Sequence, residues 1–221
     1  MSTFRRVFSS SVGTKLLIGV TGLLLFVYVL LHLAGNLLVF AGPDTFNAYS
    51  HRLISNPLIV PVEIGLALIF LIHIYKTVRM WFHNQGARPV RYDKKKWVGH
   101  TGRKSVGSTT MIYTGLITLL FVLVHLKQFK FGTWYVIGSP PIRDLYRTEF
   151  EVFASPVWVV VYVVCVLLVA LHLRHGISSA FQSLGASHPR YTRSIVLWGT
   201  IVAVLIGVGF AIIPIWVHFA R

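Results

Sequence analysis

The apolar positions of the chain gather into five long stretches, residues 16–40, 58–75, 107–126, 156–173 and 194–217, separated by polar segments rich in arginine, lysine and proline. Each stretch is nearly uncharged, and a helix needs about 20 residues to cross the hydrocarbon core of a bilayer. The pattern predicts transmembrane helices at about 14–40, 57–83, 107–128, 156–184 and 194–217 in a single membrane domain spanning 1–221. Local signals agree with these limits. Ser9, Ser10 and Ser11 are capping residues ahead of the first span, Gly42-Pro43-Asp44 supplies a turn behind it, and Pro57, Pro61 and Pro156 stand where a helix start tolerates proline. No internal repeat is obvious at this stage. The fold class expected is an all-α integral membrane bundle.

Composition narrows the function. Of 221 residues 55% are hydrophobic and 12% charged, against roughly one quarter charged in ordinary soluble domains. Little chain is left for a soluble catalytic domain. The one cysteine, Cys165, lies inside an apolar stretch, so the chain has neither a disulfide framework nor the thiolates of an iron–sulfur cluster. A Cys-x-x-Cys-His motif is absent, which excludes covalently attached c-type haem. The basic start with Arg5, Arg6 and Lys15 resembles a secretory signal, but the apolar run behind it is longer than a signal core. It reads as a retained first helix.

The net charge of +15 reports topology rather than nucleic-acid binding. With the N-terminus inside, 15 of the 21 basic residues fall on the cytoplasmic side, while four of the six acids, Asp44, Asp144, Glu149 and Glu151, fall outside. The positive-inside rule therefore predicts N-terminus in, C-terminus out. The basic segment 84–106 would face the cytoplasm and could bind partner subunits or anionic lipid.

Ionisable residues inside the hydrocarbon are costly and mark function. Four spans each carry one histidine at depth: His32, His73, His125 and His172. Counted from the outer ends at the helical rise, His32 and His125 lie roughly 5 to 12 Å deep and His73 and His172 roughly 24 Å deep. Two levels about 15 Å apart follow. Two neutral imidazoles per level suit the axial positions of a flat macrocycle, whereas zinc wants three or four converging ligands. Haem b, one per level, is the expected cofactor, and Gly19, Gly22, Gly35, Gly65, Gly115 and Gly176 offer room between helices. His175, three residues past His172, could itself be the ligand of its span, but its depth matches His73 less well. With Arg174 it is placed instead for propionate contact or the cytoplasmic surface. His51, His83, His100, His188 and His218 lie in loops or at span ends. Glu63, the only acid inside a span, is a candidate for proton transfer at a quinone site; the bland alternative pairs it with Arg52 or the interface. The tryptophans fall mostly near span ends, as an aromatic belt would place them.

These residues closely resemble the dihaem cytochrome b subunit (b558 type) of succinate:quinone oxidoreductases and quinol:fumarate reductases. The resemblance covers almost the whole chain. It rests on His32-Leu33-Ala34-Gly35-Asn36-Leu37-Leu38-Val39-Phe40 with Phe46-Asn47-Ala48-Tyr49, on Glu63 ten residues before His73, and on Ser108-Thr109-Thr110-Met111 before Phe121 to Leu126. His172-Leu173-Arg174-His175-Gly176 and Ser179-Ala180-Phe181-Gln182-Ser183-Leu184-Gly185 complete it. The family implies a distal haem on His32 and His125, near the outer face, and a proximal haem on His73 and His172. It implies a flavoprotein subunit with FAD, an iron–sulfur subunit, electron delivery to a quinone of the menaquinone class, and a bacterial cytoplasmic membrane. Some members carry a carboxylate in the fourth span beside the ligand; here Ala170 and Leu171 stand there. The competing readings are a quinol:fumarate reductase subunit, another quinone-linked dihaem cytochrome, whose kind often places two histidines on one helix, and a haem-free anchor or transporter.

Overall fold

The computed structural model describes residues 10–87, 106–186 and 188–220, with side chains from residue 109 in the middle segment. Its helices are α1 (Ser11–Asn36), α2 (Pro43–Ile54), α3 (Ile59–Gly86), α4 (Val106–His125), α5 (Leu145–Val152), α6 (Pro156–Ser183) and α7 (Pro189–Phe219). A 3-10 turn, Leu37–Ala41, extends α1, and a π-helical turn, Leu126–Lys130, extends α4. Between α4 and α5 lies one small antiparallel hairpin, β1 (Val136–Ile137) and β2 (Ile142–Arg143). Five helices, α1, α3, α4, α6 and α7, are long and apolar enough to cross a membrane. They are the five helices the sequence predicts.

The boundaries have local causes. The Ser10 hydroxyl accepts from Gly13 N–H at 3.0 Å and caps α1. Gly42, at φ +92°, takes a conformation that side-chain-bearing residues rarely adopt and turns the chain into α2, where Pro43 occupies the first turn. Helix α7 starts five residues earlier than the hydropathy suggests, because His188 Nδ1 accepts from Arg190 N–H at 3.2 Å and Pro189 follows in the first turn. Gly132 is needed where the chain leaves the π-helical turn: a Cβ there would lie 2.1 Å from the Gln128 carbonyl oxygen.

Helix α3 packs on α1, α1 on α6, and α6 on α4, while α3 and α4 meet only lightly; α7 stands outside this four-helix ring, mainly against α6. The α6–α7 seam is built on small residues. Gly207 faces the Ala170 methyl, where an added Cβ would come within 2.7 Å, and Gly199 faces Ile177. Such close approach is how helices associate where lipid removes the hydrophobic drive. Elsewhere the spans turn apolar side chains outward, as with Leu31, Leu68, Leu71, Leu120 and Val160. An apolar exterior of this extent suits hydrocarbon, not water.

The end of the bundle that holds the α1–α2 and α4–α6 connections carries what hydropathy does not reveal. Helices α2 and α5 and the hairpin form a cap whose core joins Val39, Phe46, Phe153, Tyr162, Ile213 and Val217. Asn47, fully buried, donates to Asp144 at 2.8 Å and accepts from Tyr146 N–H at 2.9 Å. Asp144 in turn caps α5 by accepting from Arg147 N–H at 3.0 Å. One buried amide thus ties α2 to the start of α5.

Candidate functional site

The four span histidines come together as two pairs, each across a diagonal of the ring. His32 on α1 and His125 on α4 face one another with ring centroids 5.7 Å apart and planes at 88°. His73 on α3 and His172 on α6 lie within electrostatic reach of each other. The two pairs are separated along the bundle axis. Thr21 marks the level of His73 and Thr114 that of His172; each lies eleven residues before the outer-level histidine of its helix, or about 16 Å of helix. The His32–His125 contact is the pairing that the depths read from the sequence predict.

The internal repeat that the sequence reading missed becomes visible here. Thr21-Gly22-Leu23 and His32 in α1 recur as Thr114-Gly115-Leu116 and His125 in α4, with Val29-Leu30 matching Val122-Leu123. Four residues before each outer histidine stands an aromatic that packs on it: Tyr28 on His32 at 5.5 Å and Phe121 on His125 at 5.9 Å. Hydrophobic identities hide the repeat, because any two apolar spans share many of them; only the polar Thr and His positions, once seen in contact, give it register.

Each half uses its Thr-Gly step the same way. The Thr21 hydroxyl lies 3.1 Å from His73 Nδ1, and a Cβ on Gly22 would lie 3.2 Å from His73 Cε1. The Thr114 hydroxyl lies 3.1 Å from His172 Nδ1, and a Cβ on Gly115 would lie 3.4 Å from His172 Cε1. An outgoing helix thus offers a hydroxyl and a bare backbone to the imidazole of the returning helix. Gly22 and Gly115 are cradles for rings. Gly65 and Gly176, also considered as room for a macrocycle, have nothing within 4 Å of an added Cβ.

The His32–His125 pair is built differently. The Asn36 amide donates to the His32 carbonyl at 2.7 Å and lies 3.4 Å from His32 Nδ1, while His125 Nδ1 is buried with no hydrogen-bond partner. Rings take the place of hydroxyls. Phe129 approaches His125 at 5.2 Å, Tyr162 at 6.2 Å, and Phe210 of α7 approaches His32 at 5.8 Å. The Tyr162 hydroxyl donates to Gln128 at 2.6 Å, and buried Arg143 donates to the Phe129 carbonyl at 2.7 Å, fixing the π-helical turn behind His125.

Glu63 pairs with Lys130 at the end of the π-helical turn, not with Arg52. It also lies within electrostatic reach of Tyr28, the ring stacked on His32. Arg52 sits instead on the exposed side of α2. On α6, His175 is within electrostatic reach of His172, whereas Arg174 is exposed and donates to the Thr200 hydroxyl of α7 at 3.4 Å. His218, at the end of α7, is half-buried, and its Nδ1 meets the Phe153 carbonyl at 2.8 Å. The basic segment, with Arg88, Arg91, Lys94, Lys95, Lys96, Arg103 and Lys104, falls on 88–105, outside the described residues, as do Arg5 and Arg6.

Two donors per level bear on the metal chemistry. Among the described residues no three His, Cys, Asp or Glu converge on one point, so a tetrahedral zinc centre lacks its ligands. Two imidazole–metal bonds of about 2 Å on opposite sides of one ion would put the ring centroids roughly 6 Å apart, close to the 5.7 Å between His32 and His125. The donor set fits a planar macrocycle with two axial imidazoles. Compared with family models, curated proteins and solved structures, the chain matches none.

Proposed function

We propose that this chain is the membrane anchor and dihaem cytochrome b subunit of a succinate:quinone oxidoreductase. The observation that carries the reading is the meeting of four histidines from four spans as two diagonal pairs at two depths. His32 and His125 would hold the outer haem b, and His73 and His172 the inner one. Haem b supplies reversible one-electron chemistry, and two such groups on one membrane normal connect the faces of the bilayer.

The chain's own residues have definable tasks in this reading. Tyr28, Phe121, Phe129, Tyr162 and Phe210 surround the outer imidazoles and exclude water. Glu63, close to Tyr28 and paired with Lys130, is the candidate proton carrier for a quinone of the menaquinone class at the outer level. Propionate contact falls to His175, since Arg174 turns toward α7. Succinate oxidation belongs to a flavoprotein subunit with FAD, and electrons arrive through an iron–sulfur subunit docked on the inner side, with the N-terminus cytoplasmic in a bacterial cytoplasmic membrane.

The test is purification of the assembly from membranes, identification of its subunits, and a dithionite-minus-succinate difference spectrum. Copurifying flavoprotein and iron–sulfur subunits with b-type absorbance partly reduced by succinate is the expected result. Haem that succinate does not reduce, or other partners, would move the chain to a different quinone-linked cytochrome.

A further inference from the structure

The Thr–His contacts fix more than position. A threonine hydroxyl has one hydrogen to give, and that of Thr21 goes to its own helix: the hydroxyl donates to the Leu17 carbonyl at 2.6 Å, with Ile18 O at 3.2 Å. Toward His73 Nδ1, 3.1 Å away, the oxygen has only lone pairs to offer. The ring nitrogen must therefore be the donor. The Ile18 carbonyl also faces the same imidazole as an acceptor. The Thr114 hydroxyl has the same three neighbours, Thr110 O and Met111 O at 3.2 Å and His172 Nδ1 at 3.1 Å, and its direction is assigned by its correspondence to Thr21.

A neutral imidazole carries one proton, and the nitrogen without it carries the lone pair that a metal takes. We infer that Thr21 and Thr114 are positioning residues that each accept a hydrogen bond from the Nδ1–H of the histidine on the returning helix. Nε2 of both His73 and His172 is then the bare nitrogen. The tautomer follows from the hydrogen bonds alone; its use in iron ligation rests on the haem reading above. The other pair has no such hydroxyl: His125 Nδ1 is unpartnered, and the Asn36 amide, which donates to the His32 carbonyl, stands 3.4 Å from His32 Nδ1. The two levels therefore differ in ligand basicity, which a donated ring N–H raises.

Two measurements test the assignment. In the full chain reconstituted in lipid under dithionite, with 15N-labelled histidine and 13C-labelled threonine, solid-state NMR should show two protonated Nδ1 signals in through-space contact with a threonine Cβ. Contact from a bare Nδ1, or no such contact, overturns the inference whether or not haem is present. Contact in a preparation without haem leaves the tautomer standing and defeats the cytochrome reading instead. In the haem-loaded complex, Thr21→Val or Thr114→Val should speed loss of the inner haem about 10- to 100-fold and raise its midpoint potential. Thr21→Ser and Thr114→Ser should restore both. Potential and retention unchanged in both valine variants would contradict the positioning role.

Discussion

Gly22 leaves His73 the space its ring occupies: a Cβ on Gly22 would stand 3.2 Å from His73 Cε1, and Gly115 stands to His172 in the same relation at 3.4 Å. Alanine at either position asks the ring to yield by a few tenths of an ångström. A larger side chain displaces it. In the dihaem reading, Gly22→Leu and Gly115→Leu should each remove the signal of the haem assigned to His73 and His172, while that assigned to His32 and His125, eleven residues away, persists in the reduced-minus-oxidised spectrum. Loss of both signals together would mean that the two levels are not separately built.

Glu63 and Lys130 form an ion pair with both side chains nearly half exposed, and such pairs contribute about 1 kcal/mol or less. Glu63→Gln should therefore leave thermal stability and haem content close to those of the parent. If Glu63 carries protons for quinone chemistry, turnover with quinone falls about 100-fold, while reduction of the haems by succinate survives. Unchanged quinone turnover would remove Glu63 from the proton path.

Glu149, on α5 in the outer cap, is 4% exposed, and its Oε2 has no hydrogen-bond partner. Burial raises its carboxyl from the ordinary 4.5 to about 8, with Tyr146 and Tyr162 as its electrostatic neighbours. A raised folded-state value means that the folded chain keeps a proton which the unfolded chain has released. Stability is then fully present below pH 4.5 and declines as pH rises toward about 8. Melting temperatures in detergent should fall across that window, and Glu149→Gln should flatten the fall.

Asn47 is the buried amide between α2 and α5, and Asn47→Ala strands the Tyr146 N–H and takes one of two donors from Asp144 Oδ1, which keeps the Arg147 N–H. Leaving buried polar groups unpaired costs about 1–3 kcal/mol each. The loss should be local. Hydrogen exchange should accelerate in α2 and α5 and not in α6 or α7.

The five spans and the four histidines were legible because hydrocarbon imposes a simple rule: long apolar runs cross the bilayer, and a histidine within one stands out. Depth along the chain then sorted the histidines into levels. The cap was not legible, because α2 and α5 are short and polar, and Asn47 holds Asp144 and Tyr146 from nearly a hundred residues away. Neither was the role of Thr21 and Thr114. A threonine in an apolar span commonly bonds its own helix, as these do, and only the partner ring across the interface gives the second bond meaning. The sequence leaves Glu63 between a proton-transfer role and a pairing with Arg52 or the interface, and its partner Lys130 is brought there by the π-helical turn after His125.

The central claim is that four histidines hold two haems at two separate levels, and haem b per polypeptide tests it most directly. Pyridine haemochrome assay of the purified complex should give two haems for the parent chain and one each for His32→Ala and His73→Ala, with the remaining spectrum different in the two variants. No haem in the parent, or both variants retaining two, would contradict it.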